Sequence, residues 1–181
     1  MKAIIKQHIV DSLDGFRFPR YEELPDVGLY LEQVVQYVNS ITAKLELPPL
    51  TSSMVSNYVK QGLVDKPVRK RYSADQVAYL IFISVAKNVL SIDNLRLFIA
   101  MQKRTYETFV AYDYFCDQLE LALDYVLGLS DQLEDTGVTE SEEKTMLRYS
   151  CIAMANVIYL GKCFEASRNA GVFGEPEAAA E

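Results

Sequence analysis

The chain is poor in the residues from which most catalytic centres are assembled. It has a single histidine, His8, near the start and without a serine or cysteine constellation around it. No phosphate loop, dinucleotide fingerprint, nucleophile elbow or HExxH motif occurs, so an enzyme is not expected and no catalytic residue stands out. Three cysteines, Cys116, Cys151 and Cys163, are an odd number without CxxC spacing, set among apolar neighbours in helical patterns. Reduced, buried thiols are the expectation, with no metal and no cofactor. Only eight glycines and six prolines occur and alternating strand-like runs are few, which favours an all-α chain. The opening MKAIIKQHIV lacks the long apolar core of a signal peptide. The most apolar stretch, 77–90, is broken by Lys87 and Asn88 and is too short to span a bilayer. A cytoplasmic protein with no membrane partner is therefore expected.

Half of the 181 residues are apolar, enough to bury a real core. The net charge of −7 argues against nucleic acid until its distribution is read. Residues 44–104 hold ten Lys/Arg against four Asp/Glu, a balance of +6, while the remainder carries −13. A basic segment inside an acidic chain is an electrostatic footprint that would present one face to phosphates.

Along the chain, residues 1–26 read as a short amphipathic helix (Ile4, Ile5, Ile9, Val10, Leu13) and a connector, GFRFPRYEELPD. Asp26 is placed to cap a helix through Thr42 with Leu31, Val34, Val35, Val38 and Ile41 on one face, and Pro48-Pro49 ends it. After this tight connection Thr51 caps a short helix whose inner face is Val55, Tyr58 and Val59, with Gly62 at the left-handed position after its end and Leu63 beyond. Residues 66–72, KPVRKRY, are charged and β-like. Ser73-Ala-Asp-Gln76 is a capping box opening a helix to about Leu90, apolar nearly all round and so central to the fold. Ser91 caps a further helix with Leu95, Phe98 and Ile99, and another, joined to it or not, covers 103–127 up to Gly128. A polar loop over 129–138, a capping box at Thr139–Glu142, a final helix to about 167 and a fraying tail complete the reading. The expected organisation is 1–26 helix and connector, 27–102 DNA-binding domain, 103–168 dimerisation or regulatory helices, and 169–181 flexible tail.

The informative unit is the short helix and the basic segment behind it. Its outward positions are Ser52, Ser53, Ser56, Asn57 and Lys60, polar or basic and with no acid among them. Lys66, Arg69, Lys70 and Arg71 follow, around Tyr72. Hydroxyl and amide groups donate to phosphate or base edges, and the cations neutralise phosphates, so these ten residues are the expected contacts to double-stranded DNA.

The run TSSMVSNYVKQGLVDKPVRKRYSADQVAYLIFISVAKNVLSIDNLRLFI resembles the DNA-binding domain of MerR-type regulators. Tyr58, Gly62, Leu63, Arg69, Tyr72, Ser73, Val77, Leu80, Ser91, Ile92 and Leu95 fall on the places of that pattern. The resemblance implies a winged helix-turn-helix and sequence-specific transcriptional regulation. Three features depart from it: the wing is short or degenerate, lacking the Gly-Tyr-Arg turn; Ser56 or Asn57 replaces a common arginine; and no obvious long dimerisation helix follows residue 103. The whole chain, including PRYEELPD, is similar to a bacterial family catalogued as domain of unknown function 1836.

Other functional classes stay open beside this one. A helix-turn-helix derivative can serve as a protein-interaction module, here through the acidic C-terminal half. The aromatics Tyr106, Phe109, Tyr112, Tyr114, Phe115 and Tyr125 read as core, or else as the lining of a small-ligand effector pocket. Asp113, Asp117, Glu120 and Asp124 form a carboxylate stripe that, without histidine, reads as a solvated face and not as a metal site. Met146, Ser150, Ala153, Val157, Leu160 and Phe164 recur at spacings of four and three, a seam expected to make a homodimer or else to pack against helix 103–127 within one chain, and Leu147, Met154 and Ile158 offer a second apolar face.

Overall fold

A computed structural model describes residues 2–13, 15–131 and 141–169, with side chains given from Ile9 onward and for Gln7. Among them are seven α-helices: α1 (Lys2–Leu13), α2 (Leu31–Thr42), α3 (Ser52–Lys60), α4 (Ala74–Ala86), α5 (Ile92–Thr105), α6 (Thr108–Leu127) and α7 (Glu142–Asn169). No strand longer than an isolated bridge occurs among the described residues, so the all-α expectation holds. Single 3-10 turns occupy Tyr21–Glu23 and Ala43–Leu45.

Helix α4 forms the centre. Every residue from Gln76 to Ala86 is buried, as its all-round apolar sequence requires. Burial of each large side chain there stabilises by about 1.5–3 kcal/mol. Its two polar members find partners: Gln76 Nε2 donates to the Asp65 carbonyl at 2.7 Å, and Ser84 Oγ to the Leu80 carbonyl at 2.7 Å. Helix α2 packs on one part of α4, and α6 and α7 on others. Helices α6 and α7 form the most extensive pair, and α1 lies against both. The buried side chains from Ile9 to Ile158 make one continuous core, shared by the expected segments 27–102 and 103–168.

Several boundaries differ from expectation, each for a local reason. Asp26 caps nothing: α2 begins at Leu31 with Tyr30 as its N-cap, whose N–H donates to Gln33 Oε1 at 2.9 Å. The residues before it are held extended because Leu29 and Tyr72 exchange backbone hydrogen bonds of 3.0 and 2.8 Å. Helix α4 stops at Ala86 and not near Leu90, since Asn88 Nδ2 donates to the carbonyls of Ser84 and Val85 at 3.2 and 2.9 Å and satisfies the helix end. Helices α5 and α6 are separate, broken where Tyr106 takes an extended conformation and Gln102 Nε2 donates to its carbonyl at 2.7 Å. The expected cap Thr139 lies outside the described residues, as do most of the 129–138 loop and the tail beyond 169. The α7 cap that is described is Ser141, whose Oγ accepts from Lys144 N–H at 3.2 Å.

The α2–α3 connection is not tight. It takes nine residues, 43–51, between Thr42 and Ser52. Asn39 pins it with a two-way clasp on Leu50, donating to its carbonyl at 2.9 Å and accepting from its N–H at 2.8 Å. The thiols of Cys116 and Cys151 are buried, whereas Cys163 is only half-buried, and all three are free. Burial pushes the Cys116 thiol up to about 12, so it stays protonated near neutral pH.

Candidate nucleic-acid interface

Helix α3 starts where Thr51 Oγ1 accepts from Met54 N–H at 3.2 Å. It ends in a Schellman motif: Leu63 N–H donates to the Tyr58 carbonyl at 3.0 Å and Gly62 N–H to that of Val59 at 3.1 Å. Gly62 has φ +75, a conformation that L side chains rarely adopt, and Leu63 is fully buried. Val55 and Tyr58 anchor the inner face in the core, and Val59 is half-buried. This anchoring turns Ser53, Ser56, Asn57 and Lys60 outward on one face.

The outward side chains are not all free. Ser52 is half-buried and its hydroxyl donates to Glu32 Oε1 of α2 at 2.8 Å. An acid-free face was expected; the fold brings the Glu32 carboxylate to the first turn of α3. Ser56 Oγ donates to the Ser52 carbonyl at 2.9 Å, keeping its lone pairs for outside donors. Asn57 is exposed, and its Oδ1 accepts from Gln61 Nε2 at 3.2 Å.

The basic segment is a two-residue hairpin. Val68 and Arg71 exchange backbone hydrogen bonds of 3.1 and 2.9 Å, and the residues between them, Arg69 and Lys70, have φ 51 and 64. Positive φ at both central positions is the type I′ geometry, which sequences usually meet with Asn-Gly. Arginine and lysine there cost on the order of 1 kcal/mol each. Both are exposed, as are Lys60, Lys66 and Arg71, and no carboxylate among the described residues pairs with any of these five cations. The hairpin thus carries a basic tip.

Two residues that sequence reasoning missed, Tyr30 and Gly28, brace this hairpin. The Arg71 guanidinium lies 5.0 Å from the Tyr30 ring centroid and 3.4 Å from its hydroxyl. A Cβ on Gly28 would meet Arg71 Cβ at 2.8 Å, so the strand-like entry to α2 passes this close only because residue 28 is glycine. Nothing in local periodicity connects positions 28 and 30 with 71. Tyr72, expected among the DNA contacts, is instead 5% exposed. Its backbone pairs with Leu29 and its ring joins the core, so it fixes the base of the hairpin and does not face outward.

The remaining expectations also take definite places. Met146, Ala153, Val157, Leu160 and Phe164 are exposed along α7, while Leu147, Met154 and Ile158 of the same helix are buried. Of the aromatics, Tyr112 and Phe115 are core, Tyr106 and Tyr114 half-buried, and Phe109 and Tyr125 exposed. The carboxylate stripe of α6 is not simply a solvated face. Glu120 accepts from Phe18 N–H at 2.7 Å and takes two bonds from Arg20 at 2.9 and 2.7 Å. Asp117 pairs with Arg20 at 2.9 Å and Asp113 accepts from Tyr21 N–H at 2.7 Å. These acids clamp the connector onto α6. Among the described residues no histidine, cysteine or acid cluster suits a metal ion, and no helix is long and apolar enough to cross a membrane.

The profile of the family described as Domain of unknown function (DUF1836) matches residues 19–115, more than half of the chain, and the chain belongs to that family. The matched segment runs from the clamped connector through α2, α3, the hairpin, α4 and α5 to Phe115 on α6, and so includes both partners of the Asp113–Tyr21 and Tyr112–Pro19 contacts. No curated protein and no solved structure matches the chain.

Proposed function

We propose that this member of the DUF1836 family is a cytoplasmic, sequence-specific DNA-binding transcriptional regulator built on a MerR-like winged helix-turn-helix. Helix α3 lies in a major groove, with Ser53, Ser56, Asn57 and Lys60 toward the DNA, and the Val68–Arg71 hairpin rests on the neighbouring backbone. The observation that carries this reading is the hairpin tip. Two cations without acidic partners among the described residues stand in a conformation that favours other residues, and a cost of that kind is expected where the side chains serve something outside the fold. Lys66 and Arg71 extend the same basic patch, while Glu32 keeps phosphate away from the first turn of α3.

Regulators of this kind read paired half-sites, and a single nine-residue helix offers few base contacts. The exposed seam of Met146, Ala153, Val157, Leu160 and Phe164 on α7 is the surface through which we pair two copies. The rival reading, a protein-interaction module acting through the acidic C-terminal half, draws less support, because Asp113, Asp117 and Glu120 are engaged within the fold.

The test keeps the hairpin and removes its charge. The Arg69→Asn, Lys70→Gly variant should bind all DNA more weakly, with a log–log salt slope smaller by about two, since each phosphate left without its cation takes away about 0.9. An unchanged slope in a folded variant overturns the proposal for the wing. Asn57→Ala should narrow the difference between operator and random DNA by about 1–3 kcal/mol. Sedimentation of Ala153→Glu, Val157→Glu against wild type tests the seam, and a wild type that is monomeric at micromolar concentration removes it.

A further inference from the structure

A cavity of about 70 Å³ lies where α4, α5, α6 and α7 meet. Its walls are almost wholly apolar, including Phe82, Phe98, Ala111, Phe115 and Leu147, and it reaches the surface beside Val110, which is 43% exposed. One water needs roughly 10–15 Å³ of such space, so the cavity is several times larger than a single water requires. Apolar walls give water few partners, so the space suits a compact branched hydrocarbon group.

The polar groups around the cavity are nearly all spoken for. Tyr79 donates its hydroxyl to Gln102 Oε1 at 2.8 Å, Gln102 Nε2 donates to the Tyr106 carbonyl at 2.7 Å, and Glu143 accepts from Thr105 Oγ1 at 3.1 Å. Lys144 differs. It lines the cavity, is half-buried, and has its ammonium 5.1 Å from the Tyr114 ring centroid and 6.0 Å from that of Tyr106. No carboxylate among the described residues pairs with it. Ring faces hold a cation only weakly compared with a hydrogen-bonded anion.

We infer that this cavity is a binding site for a small monocarboxylate with a compact, branched apolar tail, the tail enclosed by the aromatic walls and the carboxylate on Lys144. The site stands independently of what α3 and the wing bind. The probe is isovalerate, with isoamyl alcohol as its uncharged counterpart, titrated into the full chain and followed by methyl NMR and thermal unfolding. Isovalerate should shift the Leu147 and Val110 methyls saturably in the millimolar range and raise the melting temperature. Lys144→Met should weaken isovalerate at least tenfold and leave isoamyl alcohol unchanged. Ala111→Phe, which fills the cavity, should abolish both; if it does not fold, Val110→Phe at the rim does the same work. No saturable shift in wild type overturns the site, as does binding that survives a folded, cavity-filled variant. Equal isovalerate affinity in wild type and Lys144→Met overturns the assignment of an acid.

Discussion

Arg20 and the Arg69–Lys70 pair are basic groups of one chain put to opposite uses. Arg20 is held between Asp117 and Glu120, part-buried, with Glu120 also taking the Phe18 N–H, so its charge is consumed in fastening the connector to α6. Arg69 and Lys70 stand on a two-residue turn with positive φ and no acidic partner among the described residues. One arrangement stabilises the fold and the other costs it something. The surface a ligand meets is therefore not proportional to the count of charges: Asp113, Asp117 and Glu120 of α6 are engaged within the fold, while the cations of the hairpin are left to solvent.

The largest expected effect lies on the fastening side. Arg20→Ala leaves Glu120 and Asp117 without their cation and should lower the unfolding free energy by about 2 kcal/mol, the scale of hydrogen bonds to charged groups at a part-exposed site. Urea unfolding with an unchanged slope would register it; a loss below a few tenths would mean that the clamp is ornamental. The Arg69→Asn, Lys70→Gly variant should move the other way, gaining about 1 kcal/mol because the turn then carries residues suited to its dihedrals. Destabilisation by that change would show that the tip side chains hold the fold.

Glu32→Gln sharpens the comparison where the two uses of charge meet. It removes the carboxylate beside α3 but keeps an acceptor for Ser52, so stability should stay within about 0.5 kcal/mol while non-specific DNA affinity rises severalfold at low salt. Weaker binding would mean that the first turn of α3 needs Glu32. The smallest effect concerns pH. The Arg17 side chain, followed by the Arg20 backbone N–H, holds Glu23 down at about 2. A lowered carboxylate stabilises above its ordinary pKa and loses that contribution as pH falls toward 2. Glu23→Gln should thus flatten the acid limb of a stability–pH curve slightly, and an identical limb would show the pair to be fully screened.

Much of the helical frame was legible in local chemistry. Thr51, Ser73 and Ser91 cap the helices they precede, Gly62 and Gly128 take the left-handed positions that end α3 and α6, and the unbroken apolar face of α4 signalled its burial. Caps and glycines report themselves because their hydrogen bonds reach only three or four residues. The misplaced start of α2 and end of α4 depended on Leu29 meeting Tyr72 and on Asn88 folding back over the last turn, which no periodicity encodes.

The candidate interface divides in the same way. Amino-acid sequence by itself determined which side chains could face outward on α3 and that a dense group of cations follows it, because helical spacing and composition are local properties. Only tertiary structure decided that Tyr72 turns inward while Arg71 lies on Tyr30, that Glu32 reaches Ser52, and that Asp113, Asp117 and Glu120 fasten the connector. Those contacts join residues 20 to 100 positions apart, and their partners are selected by how the helices pack around α4, a choice made by the whole core at once.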